Sequence, residues 1–393
     1  MVKRIFALLI YVQILACSPT EKNPMIIQEN FENLSILDQW VHDKEIIFLG
    51  EPTHGDGTIF TARIKIIKYL VEMHGFDAVI FESNGYDAYH INELRRRGEI
   101  DKKHFGQSTF SIWGHTLELQ ELWQFLMDNN NVKFLGMDHY PHTVMKEHFL
   151  NELKNAVNLT KAEEQLLQSM IDSIATTELL PRRYYLSPHE SAKLDLLKNK
   201  LKHTKKSIYL KEGIDNLMQY AAFESLPHLH EGFWTKFNYR DSLMFESIKS
   251  HANNNKKVVV WLASAHALES PSNIVDPDDL KEIGQTYADM VTLGNLAKSH
   301  FGDKMLNLAF SAYEGGFYDF VDKKEINFKL DSIPNLEMNV YEKNQAITIV
   351  DLRKIDSVYF SGILGFELIQ ANWGKNFDGV IVFPQVKASR RVQ

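Results

Sequence analysis

Residues 46–82 read IIFLGEPTHGDGTIFTARIKIIKYLVEMHGFDAVIFE. The apolar run Ile46 to Leu49 has the length of a buried strand and is too short for a helix. It breaks at Gly50 and presents Glu51, Thr53 and His54 ahead of Gly55-Asp56-Gly57. Ile59, Ala62, Ile66, Ile67 and Leu70 then recur at helical spacing, giving one buried face until Gly75 stops the pattern. A second apolar run, Ala78 to Phe81, ends on Glu82. The spacing predicts strand, loop, helix and strand, with polar residues at the carboxyl ends of both strands, where open α/β sheets place their sites. If the strands are neighbours, Glu51 and Glu82 emerge side by side with His54 between them. Two carboxylates and an imidazole in one crevice are equipped for general acid and base work.

Further strands are expected at Val132–Asp138, Lys257–Leu262, Met305–Phe310, Ala346–Val350 and Gly379–Phe383. With the helical patterns between them they favour an α/β fold, a mostly parallel central sheet flanked by helices. Asp87 to Arg97 reads as a helix. So does the segment after Glu118, with Leu119, Leu122, Trp123 and Leu126 on one face. From about 145 to 237 strand signals vanish and helical faces follow one another, which suggests a helical insertion forming a cap over the crevice. Asn238-Tyr239-Arg240-Asp241 opens another helix, and 321–345 reads as a loop or an edge elaboration.

The chain of 393 residues carries a formal net charge of −8 and no long basic run, so nucleic acid is not an expected partner. At its start, Lys3-Arg4, the apolar Ile5 to Leu15 and then Ala16-Cys17 have the layout of a secretory signal. The small residue before Cys17 resembles a bacterial lipoprotein box. Residues 1–16 are then the signal peptide, Cys17 the lipidation site, 17–25 a tether and 26–393 the body, anchored by lipid to a membrane of the cell envelope. Cys17 is the single cysteine, so the exported body has neither disulfide nor thiol chemistry.

His54 flanked by Glu51 and Glu82 suits base catalysis, because a carboxylate on one ring nitrogen fixes the tautomer and raises the basicity of the other. The bland alternative is a strand-end histidine satisfied by backbone. Arg63, nine residues on, is able to pair with either carboxylate or meet an oxyanion, or to lie on the surface like most helical arginines. His266, just past the strand at Lys257–Leu262, is placed to protonate a leaving group, steady an oxyanion or ligate a metal. Neither the phosphate loop nor the dinucleotide fingerprint matches, and no Gly-x-Ser-x-Gly elbow occurs. An activated water is therefore expected in place of a covalent nucleophile. No cofactor is expected. Glu51, His54, Glu82 and His266 are competent metal ligands, yet no HExxH spacing calls for a metal.

GEPTHGDG at 50–57, Arg63 and FES around Glu82 resemble the opening motif of the erythromycin esterase family. Trp113 with Glu118, FLGMD at 134–138, Tyr239-Arg240-Asp241, WLASAH at 261–266, Thr292-Leu293-Gly294 and FDGVIVFP at 377–384 follow in the family's order. The resemblance implies hydrolysis of a carboxylic ester or macrolide lactone without a covalent intermediate. It makes His54 the base, Glu51 and Glu82 its orienting carboxylates, Arg63 an ordering residue and His266 a second site histidine. Trp113, Glu118, His115 and Asp138 are expected around the substrate. The first histidine of the family's Trp-x-His-Asn-x-His strand end falls on Ala263 and its Asn on Ser264, so His115 or His139 is the candidate to supply a replacement imidazole. A metal-dependent hydrolase and a non-catalytic envelope binding protein are the rival readings.

Overall fold

The computed structural model describes residues 25–392 apart from 174–184, 203–204, 228–232, 255–256, 279 and 281–285. The expected signal peptide, the expected lipidation site Cys17 and the expected tether up to residue 24 lie outside the described residues. Among the described residues no helix is long and apolar enough to cross a membrane.

Nine strands form the main sheet: β1 (Met25–Ile27), β2 (Ile46–Glu51), β3 (Ala78–Asn84), β4 (Lys133–Asp138), β5 (Val258–Ala263), β6 (Met305–Asp319), β7 (Lys324–Lys329), β8 (Ile347–Asp351) and β11 (Gly379–Val386). Their order is β1-β8-β11-β6-β2-β5-β3-β4, with β7 paired to β6. From β11 to β4 every pairing along that path is parallel, while β1, β7 and β8 pair antiparallel. A separate ribbon joins β9 (Tyr359–Ser361) to β10 (Ile369–Ala371). The α/β class and the seven strands expected from sequence are present. Met25, placed at the end of the tether, instead begins β1, paired with Ile349. The stretch 321–345 holds β7 and the helix Leu336–Asn344.

One expectation needs correcting. β2 and β3 are not neighbours, because β5 lies between them and pairs with both. The reason is topological: the chain leaves β4 for the helical stretch and returns to fill the gap that the β2–β3 crossover left open. Glu51 and Glu82 therefore stand a strand apart. They also face opposite layers. Ile47 and Leu49 join the core on one face of the sheet, whereas Ala78 and Ile80 join the core on the other. Period-2 alternation carries Glu51 to the first face and Glu82 to the second.

The helix Gly57–His74 covers the first face. It starts because Asp56, its N-cap, accepts the Ile59 N–H at 2.9 Å, and it ends at Gly75 with φ +68°, a left-handed stop that glycine takes without a steric cost. The helix Phe233–Asn254 covers the second face through Met244 and Ile248. It begins five residues before the predicted opening at Asn238. In the expected insertion, the helices Thr143–Ala156, Lys161–Ser173, Pro188–Lys200 and Lys205–Ser225 share a third core that includes Phe149, Leu167, Leu197 and Leu217.

Candidate active site

Polar side chains converge where β2, β3, β4 and β5 end. Glu51 closes β2, and neither it nor Arg63 retains any accessible surface. Its Oε1 accepts from His54 Nδ1 at 2.7 Å and from Trp113 Nε1 at 3.0 Å, while its Oε2 accepts from Arg63. Arg63 also donates to the carbonyls of Leu49 and, at 3.1 Å, Leu262, and its guanidinium lies 3.6 Å over the Trp261 ring. Far from the surface position that a helical arginine usually takes, it is a buried counter-charge with a planar fork and an aromatic bed. Burial brings its pKa down to about 10, against the upward pull of Glu51.

His54 is the part of this group that meets solvent, its side chain being 42% exposed. Its ring stands edge-on to Trp113 at 5.3 Å. Since Nδ1 is committed to the carboxylate, Nε2 carries the free lone pair toward the crevice. Burial disfavours the charged ring. The Glu51 hydrogen bond and charge, joined by the charge of Glu82, outweigh that effect and hold His54 above its ordinary pKa, with Arg240 opposing.

The second half of the site lies on the other face. Glu82 Oε1 accepts the Ala263 N–H at 3.0 Å, and Oε2 accepts from Arg240 at 2.8 Å. Asp138, at the end of β4, accepts from Arg240 Nε at 3.0 Å and from its NH2 at 2.6 Å. Burial works against ionised carboxyls here, but the Arg240 charge dominates and keeps both carboxyls below their usual range, Asp138 far below it. Arg240 NH1 lies 3.0 Å from His266 Nε2, and His266 Nδ1 lies 2.6 Å from Asp241 Oδ1. Phe237 stacks on the His266 ring at 4.7 Å, and the other Asp241 oxygen takes the Leu293 N–H at 2.7 Å.

The structure thus gathers Glu51, His54, Arg63, Glu82, Trp113, Asp138 and His266. Asp138 is wholly covered, its carboxylate committed to Arg240 and the His139 N–H rather than open to a substrate. Glu118 and His115 point elsewhere. Glu118 accepts from Arg390, and the exposed His115 holds the Val392 N–H through its backbone, so both dock the chain's last described residues. Neither candidate replaces the imidazole missing at Ala263, because His139 lies behind Asp138, buried among Tyr140, Phe223 and Tyr239. Sequence reasoning noted Tyr239-Arg240-Asp241 as a motif without giving Arg240 or Asp241 a role. The available signal was an adjacent Arg-Asp pair inside an apolar helix face. Among the described residues no group of three His, Cys, Asp or Glu side chains is arranged as cation ligands, and Arg240 occupies the space between Glu82 and Asp138.

The erythromycin esterase family profile matches residues 71–386. The chain belongs to the erythromycin esterase family. Erythromycin esterase type II of Escherichia coli is 22% identical over 93% of this chain and 95% of its own length. Similarity to YbfO of Bacillus subtilis is higher, 32%, but is confined to 97 residues, 25% of this chain and 21% of that one. A solved erythromycin esterase mutant in its open conformation, EreC, shares the fold with a TM-score of 0.67 at 16% identity, over 94% of this chain and 99% of that one. Membership makes the chain a hydrolase-type protein of this family.

Proposed function

We propose that this protein hydrolyses a carboxylic ester or a lactone with a water activated by His54. The observation that carries the reading is the His54–Glu51 pair: Nδ1 donates to a carboxylate that Arg63 and Trp113 also hold, and Nε2 is left free at the exposed edge. Nε2 takes a proton from water as the oxygen adds to the carbonyl carbon. The resulting imidazolium, steadied by Glu51, returns that proton to the departing alcohol oxygen. Arg63 sits too deep to touch substrate and sets the position and charge of Glu51. Arg240, held from behind by Glu82 and Asp138, forms the opposite wall. Ala263, where the family carries a histidine, presents Glu82 with a backbone N–H, and a backbone group survives the loss of a side chain. Macrolide lactones are the substrate class suggested by the E. coli relative.

The test uses the chain from Ser18 onward against macrolides and p-nitrophenyl esters, beside His54→Ala. Loss of the base should cost about 10²–10⁴ in kcat. Turnover unchanged by His54→Ala would sink the reading. We further propose that lipid on Cys17 tethers the protein to the envelope. Labelled palmitate incorporated by the full chain, and lost on Cys17→Ser, is the expected result.

A further inference from the structure

We infer that Arg240 supplies the oxyanion donor of the proposed reaction, and that Asp241 and His266 form a positioning pair that aims it. The inference rests on the hydrolytic reading above.

A guanidinium has five N–H bonds and no acceptor. Arg240 Nε–H points to Asp138, and the two NH2 hydrogens serve Asp138 and Glu82. One NH1 hydrogen goes to His266. Among the described residues the second NH1 hydrogen has no acceptor. It is the uncommitted N–H of a part-buried, permanently charged group whose other donors lock it in plane. Its side chain is 16% exposed, so Arg240 is not sealed from solvent as Arg63 is. In such a site a fixed donor acts on charge that develops at a carbonyl oxygen without reorganising.

The partner of NH1 decides where that hydrogen points. Because arginine only donates, His266 Nε2 must accept, so the ring's single proton sits on Nδ1 and is donated to Asp241 Oδ1 at 2.6 Å. Asp241 is itself fixed by the Leu293 N–H at the start of the helix Leu293–Phe301, and Phe237 holds the ring plane from the side. An imidazolium would set an N–H against the guanidinium at that distance, donor to donor and charge to charge. His266 thus works as a neutral acceptor and does not deliver a proton to the leaving group. Turning NH1 about its bond to Cζ is blocked by conjugation, so anchoring one of its hydrogens on His266 fixes the direction of the other.

The experiment compares His266→Leu and His266→Gln with the parent, using p-nitrophenyl butyrate and, as a tetrahedral anionic probe, butylphosphonate mono-p-nitrophenyl ester. Leucine removes the acceptor, whereas the glutamine carboxamide offers one oxygen to NH1 and one N–H to Asp241. Losing one aimed donor should lower kcat about 10²–10³-fold with KM little moved, and phosphonate affinity should fall in parallel. Glutamine should recover at least about tenfold of that loss. In the parent, ¹⁵N NMR should show His266 as the neutral Nδ1–H tautomer at neutral pH, a readout independent of turnover. Glutamine as inactive as leucine, or an imidazolium spectrum, would overturn the inference and return His266 to acid catalysis. His54→Ala run alongside separates the two levels: activity kept there removes the hydrolytic reading, whereas activity lost there with no glutamine recovery removes this inference alone. Circular dichroism on each variant excludes unfolding as the cause.

Discussion

Replacing Arg63 by methionine tests the physical role given to the buried half of the site. Methionine keeps much of the volume and removes the charge and the fork. Glu51, with no accessible surface, then lacks its principal counter-charge, and the carbonyls of Leu49 and Leu262 lose a donor. Breaking a buried pair from one side costs roughly 3–5 kcal/mol, and a stranded buried carbonyl about 1–3 kcal/mol. Relaxation and partial compensation by His54 act against simple addition, so a loss of at least about 3 kcal/mol is expected in urea titrations. The second readout is kinetic. Glu51 shared among fewer cations holds the His54 proton more tightly, so the acidic limb of kcat/KM moves to higher pH. Adding Glu51→Gln removes the stranded charge, and the double variant should be less destabilised than additivity requires, by about 0.5–3 kcal/mol. A loss under about 1 kcal/mol, or an acidic limb that moves down, would refute the argument that Arg63 serves through Glu51.

Glu51→Gln alone removes the carboxylate charge that does most to raise His54 against burial, leaving only that of Glu82, so activity, which disappears as His54 protonates at low pH, should persist to lower pH than in the parent; a pH–rate profile decides it. Arg240→Lys keeps the charge but cannot hold Glu82, Asp138 and His266 together, and kcat should fall about 100-fold by steady-state kinetics even if thermal stability is retained. Gly294→Ala puts a methyl 2.2 Å from the Ala267 carbonyl oxygen, beside the short helix that bears His266. Thermal unfolding should register roughly 1–3 kcal/mol of overpacking, and kcat should drop with it.

What the sequence determined by itself was local. Apolar runs of strand length located seven of the nine strands of the main sheet, and helical spacing located the buried face of Gly57–His74, because hydrophobic period is a property of consecutive residues. The pairing of Glu51 with His54 was equally legible, three residues apart where a strand gives way to a loop. Burial of Arg63 was not, since a charged side chain on a helix carries no mark of what covers it. Strand order was decided only by the tertiary structure. Strands buried on both faces read as continuous apolar runs, so nothing in Val258–Ala263 says that it inserts between β2 and β3. That insertion separates Glu51 from Glu82, and alternation turns them to opposite layers. Glu82 is instead joined to Asp138 by Arg240, which lies 158 residues from Glu82 in the chain. Long-range electrostatic partners of this kind depend on which faces the folded layers bring together, and no local spacing encodes them. The same holds for the partners of His266, which has Asp241 at one ring nitrogen and Arg240 at the other.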